Sequence, residues 1–156
     1  MILPDIILRP ADPADAAALT RLVYRSKRSN GYDDAFMAAC AEELRIRPGD
    51  VLTMRFWLTE RAGVPLGCAA LRRRDKVTGT VHAFFIDPDH KRMGLGRMLW
   101  RRLHREALGM GLARLTLDAD PAAVPFYMSL GFNWIADVPS GSVPGRHLPR
   151  LARNLP

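Results

Sequence analysis

Residues 90–99 read HKRMGLGRML and place two glycines, one residue apart, at the entrance of an apolar helical pattern. Glycine more often ends a helix than begins one, so a glycine pair here indicates that another group must approach the backbone closely. The first turn of a helix carries unpaired N–H groups and a partial positive charge, which together favour phosphate. The segment therefore predicts a phosphate-binding loop that leads into a helix.

Two familiar phosphate-binding motifs do not match this loop. A P-loop needs Gly-Lys-Ser or Gly-Lys-Thr at its end, and the sequence has neither. The dinucleotide fingerprint needs a third glycine where this chain has Leu99, and no repeated βαβ units follow. On the loop alone, a tight turn into a packed helix remains an equal alternative.

The flanking segments predict a strand before the loop and a helix after it. Residues 80–86, TVHAFFI, form the most β-like stretch, and Asp87 with Pro88 ends it. From Leu95 onward, apolar residues recur at helical spacing. Over the whole chain we expect the order strand, two helices, three antiparallel strands, helix, strand, helix, strand. This order predicts an α/β (α+β) fold with a mostly antiparallel mixed sheet of about six to seven strands and about four helices.

The positions of the prolines predict local structure at three places in the chain. Pro48 with Gly49 indicates a turn. Pro125 lies within the last helical pattern and predicts a kink or an opened turn, because it lacks an N–H group. Pro139, Pro144 and Pro149 interrupt the C-terminal segment, which we interpret as a loop followed by a last edge strand.

The composition is typical of a globular protein. With 156 residues, 48% hydrophobic and 25% charged, the chain is expected to form one domain over residues 1–156. The net charge of +7 fits a phosphate-rich partner, although a compositional bias explains it equally well, because all basic residues except Lys27, Lys76 and Lys91 are arginine.

The cysteines and the distribution of apolar segments indicate the cellular compartment. Cys40 and Cys68 lack ligand spacing, so we expect two buried thiols in a reducing compartment and no metal site. Pro4 and Asp5 interrupt the N-terminus before any apolar run, and no segment approaches the roughly 20 apolar residues of a membrane span. We therefore predict a cytoplasmic protein without a membrane partner.

Two motifs together resemble the GNAT superfamily of N-acetyltransferases. The segment IDPDHKRMGLGRMLW, residues 86–100, resembles the family's acyl-coenzyme A loop, in which a strand ending V-x-P precedes Q/R-x-x-G-x-G/A. Gly94 and Gly96 match the glycines, and Lys91 stands where the family usually has Gln or Arg. The segment DPAAVPFYMSLGF, residues 120–132, resembles the family's second motif, with Asp120 in place of its usual Asn.

The resemblance covers residues 80–132 by motif and nearly the whole chain by element order. The segments SNGYDDAFMAACAEEL and PSGSVPGRHLP also resemble a small bacterial subgroup of the superfamily, for which no substrate follows from the similarity. The resemblance implies the GNAT fold and direct transfer of an acetyl group from acetyl-coenzyme A to an amine in a ternary complex. The acceptor would be a small-molecule or peptide amine, and a homodimer is compatible with the sequence.

The family pattern also implies the coenzyme contacts. Backbone N–H groups of the loop would hold the pyrophosphate, and the strand before it would pair with the pantetheine arm. The implied contact residues are Phe85, Ile86, Lys91, Arg92, Met93, Gly94, Leu95, Gly96, Arg97, Asp120 and Tyr127.

Two residues are candidates for proton transfer. Tyr127 lies where the family often has a tyrosine that protonates the departing thiolate, although a core aromatic residue is the alternative. His82 is the candidate general base, with a histidine hydrogen-bonded on a sheet face as its alternative. His90, His104 and His147 are expected at the surface, and the family geometry implies an acceptor site between residues 29–32 and 140–147.

One other function remains open, and a third is not expected. A GNAT-like domain that binds acyl-coenzyme A without catalysis would act as a sensor or interaction module. A nucleic-acid partner is not expected, because the sequence has neither a helix-turn-helix pattern nor an aromatic RNA-binding platform.

Overall fold

Seven strands form one sheet, in the order β1-β2-β3-β4-β5-β7-β6, in a computed structural model that describes residues 5–156. The strands are β1 Ile7–Pro10, β2 Arg55–Arg61, β3 Val64–Arg73, β4 Thr78–Ile86, β5 Arg114–Asp118, β6 Asn133–Pro139 and β7 His147–Asn154. The helices are α1 Ala16–Arg28, α2 Asp34–Leu44, α3 Pro48–Thr53, α4 Leu95–Gly109 and α5 Val124–Ser129. Only the β4–β5 pair is parallel among these strands, so the predicted mixed, mostly antiparallel sheet is confirmed.

Two predictions from proline are wrong, because both prolines begin helices. Pro48 opens α3, and the carboxylate of Asp50 accepts from the N–H of Arg47 at 2.8 Å to cap this helix, which the sequence interpretation had as a turn. Pro125 lies in the first turn of α5, where its missing N–H group removes no hydrogen bond of the helix, so the reason for expecting a kink in the helix interior does not apply.

The last strand is an interior strand rather than the predicted edge strand. β7 pairs with β5 on one side, with Leu151 opposite Leu117, and with β6 on the other, with Leu148 opposite Val138. β6 therefore forms the edge. Leu151 is completely buried, as expected for a strand that has an antiparallel partner on each side.

The core lies on both faces of the sheet. Alternate residues of β3 point to opposite faces, so Ala69 and Leu71 pack with α4 while Cys68 and Ala70 pack with α1. Both cysteines are buried free thiols, as the sequence predicts. Within residues 5–156, no helix has the length and apolar character that crossing a bilayer requires.

β4 and β5 run together only at their beginnings. Thr78, Gly79 and Thr80 pair with residues of β5, whereas β4 continues to Ile86 without a further pair on that side. A bulge at Ala83, with φ of 47°, bends β4 opposite the register shift in β3. The two strands therefore separate toward their carboxyl ends.

Gly79 lies where β4 and β5 are still paired, and its replacement should test the packing there. A Cβ atom at Gly79 would lie 2.7 Å from Leu112 Cδ1 and 3.0 Å from Leu71 Cδ1, and both leucines are buried. We expect Gly79→Ala to lower the free energy of unfolding by about 1–3 kcal/mol in urea denaturation, because the core is overpacked.

The matched control is Gly109→Ala, at the end of α4, where a Cβ atom would meet nothing within 4 Å. This variant should be neutral or up to about 1 kcal/mol more stable. Equal stability of Gly79→Ala and the natural protein would contradict the packing argument.

Candidate coenzyme and acceptor cleft

A cleft of about 1420 Å³ opens where β4 and β5 separate. Its walls come from the end of α1 with Asn30, residues 40–50, the second half of β4, residues 90–97, residues 117–127 and the β6–β7 loop, residues 140–146. All residues predicted from the family motifs except Met93 line this cleft, and the structure therefore brings together segments far apart in sequence.

The loop between β4 and α4 presents a run of free backbone donors. Among residues 5–156, the N–H groups of residues 91–97 donate to no protein acceptor, and α4 has no side-chain N-cap. Met98 is the first to donate within this helix, to the carbonyl of Gly94 at 3.0 Å. Such a run at a helix N-terminus has the geometry and partial charge that an anion requires.

The two glycines of the loop serve different purposes. Gly94 has φ of 83° at the N-cap of α4, a conformation that favours glycine, and a Cβ atom there would meet nothing within 4 Å. Gly96 instead lies under Phe126, whose Cζ atom would be 3.0 Å from an added Cβ atom. Gly96 is therefore required for the packing of α5 on α4, a reason that the motif alone does not reveal.

Asp87 fixes the beginning of this loop. The side chain is buried, pairs with Arg25 of α1, and accepts from the N–H of Asp89 at 2.8 Å. Burial would raise the pKa of Asp87, but the hydrogen bonds from Arg25 and Asp89 outweigh it and hold the pKa below its usual value. The sequence did not predict the Arg25–Asp87 pair. The only indication in the sequence was a carboxylate, Asp87, directly after the predicted strand.

The three histidines expected at the surface differ in their environments. His147 is exposed, but His90 is half-buried with Nδ1 3.3 Å from the Asp87 carboxylate, and His104 stacks on Trp100 with ring centres 5.1 Å apart. The surface prediction is therefore wrong for His90 and His104, which are partly buried and contact neighbours three and four residues earlier in the chain.

Tyr127 is buried by aromatic neighbours and opens to the cleft at its hydroxyl. Its ring lies 5.4 Å from that of Phe126, 5.7 Å from Phe132 and 5.9 Å from Phe84. Burial raises the pKa of the phenol, so it is protonated at neutral pH. Among the described residues, the hydroxyl has no hydrogen-bond partner and is not sealed from solvent.

His82 lies on β4 opposite Ala70 and faces the cleft. Desolvation and the positive charge of Arg72 lower the pKa of the imidazole, while Asp118 and Asp50 oppose this change. Within the part of the chain that the structure describes, its ring nitrogens have no hydrogen-bond partner, so the alternative of a hydrogen-bonded histidine is not observed.

Asp120, at the end of the loop after β5, carries an ionic cluster. Its Oδ2 atom accepts from Lys27 Nζ at 2.6 Å and from the Tyr32 hydroxyl at 2.7 Å, and its Oδ1 atom accepts from the N–H of Ala122 at 2.9 Å. Burial opposes ionisation, but the Lys27 and Tyr32 hydrogen bonds lower the pKa of Asp120. A direct contact between Asp120 and the coenzyme stays a prediction.

The predicted acceptor segments meet at this cluster. Arg146 of the β6–β7 loop donates from Nη2 to the Tyr32 hydroxyl at 2.7 Å. Sequence reasoning named these two segments but not Lys27 or Arg146. Lys27 could have been found, because it follows Leu19 and Val23 at helical spacing on the buried face of α1.

The chain belongs to the GNAT acetyltransferase family. The family model described as Acetyltransferase (GNAT) family matches residues 19–132. This match includes both motifs and, between them, the rest of α4 and β5, so it confirms the resemblance noted in the sequence.

Individual relatives match over shorter segments. Mycothiol acetyltransferase of Thermobispora bispora is 37% identical over 93 residues, which are 53% of this chain and 32% of that protein. The ribosomal protein bS18-alanine N-acetyltransferase of Escherichia coli K12 is 42% identical over 57 residues, which are 35% of this chain and 38% of that protein.

A solved structure extends the likeness to the full fold. The PaiA N-acetyltransferase of Thermoplasma acidophilum, in complex with coenzyme A, superposes with a TM-score of 0.78. It is 13% identical, and the alignment covers 96% of this chain and 99% of that chain, so the likeness concerns the fold alone.

The contact between Gly96 and Phe126 can be measured by a double-mutant cycle. Gly96→Ala should reduce the free energy of unfolding by about 1–3 kcal/mol, because the added methyl group displaces the ring. Phe126→Leu should remove part of this cost, with a coupling of at least about 0.5 kcal/mol in urea denaturation.

Gly94→Ala provides the comparison, because its cost arises from φ rather than from a neighbour. The changes in the free energy of unfolding caused by Gly94→Ala and by Phe126→Leu should add in the double variant within about 0.5 kcal/mol. Additivity in the Gly96 cycle as well would show that Phe126 does not restrict that position.

Proposed function

We propose that this protein is an acetyl-coenzyme A-dependent N-acetyltransferase that transfers the acetyl group directly to an amine in a ternary complex, with residues 1–156 acting as one domain. The observation that carries the proposal is the run of free N–H donors at residues 91–97, in the same cleft as Tyr127 and His82. Membership of the acetyltransferase family supports the reaction class.

The coenzyme pyrophosphate would lie against the N–H groups of residues 91–97, with Lys91, Arg92 and Arg97 adding positive charge. Leu95 contributes only its backbone, because its side chain is buried in the core. The pantetheine arm would follow the unpaired side of β4 at Phe85 and Ile86, where no strand lies beyond Thr80. The Asp120 carboxylate already bonds to Lys27 and Tyr32, so Asp120 would help to form the opposite wall of the cleft.

Acetyl-coenzyme A supplies an activated acetyl group and a thiolate leaving group. His82 would take the proton that the amine loses on forming its new bond to the acetyl carbon. Backbone N–H groups on the open side of β4 would stabilise the negative charge that develops on the carbonyl oxygen. Tyr127 would give its proton to the departing sulfur and recover one from solvent.

Calorimetric titration with acetyl-coenzyme A, followed by a thiol-release assay across a panel of amines, tests the proposal. Binding with amine-dependent thiol release supports it. Binding without release for any amine would instead indicate a non-catalytic acyl-coenzyme A module, and absence of binding would contradict the site itself.

Replacement of Tyr127 tests the general acid. Tyr127→Phe keeps the ring contacts and removes the hydroxyl, so kcat should fall at least about tenfold while acetyl-coenzyme A affinity is retained. Steady-state kinetics and calorimetry measure the two effects. An unchanged kcat in a folded variant would leave Tyr127 as a packing residue.

The pH dependence tests the general base. Because desolvation and Arg72 lower the pKa of His82, kcat/KM should rise through an apparent pKa below the ordinary value of 6.5. Arg72→Gln removes a positive charge that disfavours protonation, so it should move the rising limb to higher pH. His82→Gln should remove this limb and cost about 10²-fold in rate.

Two controls make the pH profile specific. Arg74→Gln removes a charge that does not line the cleft and should leave the limb in place. The profile is also measured with two acceptors whose amine pKa values differ. If the rising limb shifts with the acceptor, it reports ionisation of the substrate amine. If it stays in place, it reports a group of the enzyme. A limb that survives in His82→Gln would assign the base to another group.

A further inference from the structure

The cluster of Lys27, Tyr32, Asp120 and Arg146 has more positive than negative charge. Within residues 5–156, Asp120 is the only carboxylate within ion-pair distance of Lys27 or Arg146. The side chains of Lys27 and Arg146 are only 10% and 17% exposed. One carboxylate thus faces two largely buried cations, and a mostly buried net charge of this kind is stabilised by a further anion.

Arg146 holds unused donors in a fixed orientation. Among residues 5–156, only its Nη2 atom bonds to protein, to the Tyr32 hydroxyl at 2.7 Å and to Asp120 at 3.5 Å. In the described part of the chain, Nη1 and Nε have no acceptor, and neither is sealed from solvent. The remaining N–H groups therefore stay available to a ligand.

Aromatic rings restrict the movement of this guanidinium. Arg146 lies 5.1 Å from the centre of the Tyr32 ring and 4.8 Å from that of Phe36, and the two rings stack 3.9 Å apart. A guanidinium held in this way loses little entropy when it binds a carboxylate.

We propose that Arg146, assisted by Lys27, binds a carboxylate on the acceptor, so that the substrates are small amines carrying one carboxylate, as amino acids do. The inference rests on the proposed function, because it assigns the acceptor end of the same cleft. The net charge of the cluster matches a carboxylate monoanion better than a phosphate dianion.

Matched acceptors test this assignment. The kcat/KM values are compared for several amino acids and for the amines in which hydrogen replaces the carboxylate, with each rate expressed per unprotonated amine. The natural protein should prefer the carboxylate-bearing member by about tenfold or more, since hydrogen bonds between a guanidinium and a carboxylate are charge-assisted and stronger than neutral ones.

Variants identify the residue responsible for the preference. Arg146→Gln should reduce the preference to about threefold or less. Arg146→Lys, which keeps the charge but not the planar group, should give an intermediate value. Arg101→Gln removes an exposed positive charge of α4 that does not line the cleft, and it should keep the full preference.

Three results would overturn the inference. The first is no preference in the natural protein, and the second is equal preference in the Arg146 and Arg101 variants. The third is a loss of acetyl-coenzyme A affinity of about tenfold or more in Arg146→Gln, which would assign the cluster to the coenzyme instead.

A binding measurement separates this inference from the proposed function. If no amine is acetylated, the proposed function fails, and N-acetylated amino acids are then titrated calorimetrically into the protein with coenzyme A. Binding that weakens in Arg146→Gln and not in Arg101→Gln supports the carboxylate site. Absence of binding to the natural protein overturns it.

Discussion

Two ion pairs, each with a largely buried carboxylate, hold α1 against the separated ends of β4 and β5. Arg25 pairs with Asp87 just after β4, and Lys27 pairs with Asp120 in the segment after β5. These cations are two residues apart on one helix, so the helix spans the region where the strands diverge. Asp87 is buried and the Asp120 side chain is only 10% exposed, so loss of Arg25 or Lys27 would remove the nearest positive charge from a largely desolvated carboxylate, which is unfavourable. Asp120 would then keep Arg146, at 3.5 Å, as its charged partner. The width of the cleft, and with it the placement of loop and acceptor segments, depends on the two ion pairs of α1.

The aromatic residues on the other side of the cleft are coupled in a similar way. Phe126 contacts Gly96 at the beginning of α4 and packs against Phe84 and Tyr127. A change at Gly96 therefore alters the surroundings of Tyr127 without touching it. The loop that offers backbone N–H groups and the tyrosine that would donate a proton are thus held by one set of contacts, which links coenzyme binding to chemistry in the proposed reaction.

The local parts of this arrangement were predictable from sequence. A strand ending at Ile86, a glycine loop and an amphipathic helix from Leu95 all depend on residues close together in the chain, so the sequence pattern predicts each of them. The prolines at positions 48 and 125 were misread because proline disrupts a helix interior yet is well tolerated in its first turn. Which of these applies depends on where the helix begins, and the surrounding fold determines that position.

The sequence by itself determined the family, the glycine loop and the order of strands and helices apart from α3, since each is carried by adjacent residues and their spacing. Only the tertiary structure decided that β7 lies inside the sheet and that Gly96 supports Phe126. It alone also brought Lys27 to Asp120 across 93 residues and Arg146 to Tyr32 across 114 residues. Side chains so far apart have no common periodicity or motif, and the burial of their charges against one another becomes favourable only after the sheet has placed α1 and the β6–β7 loop on the same cleft.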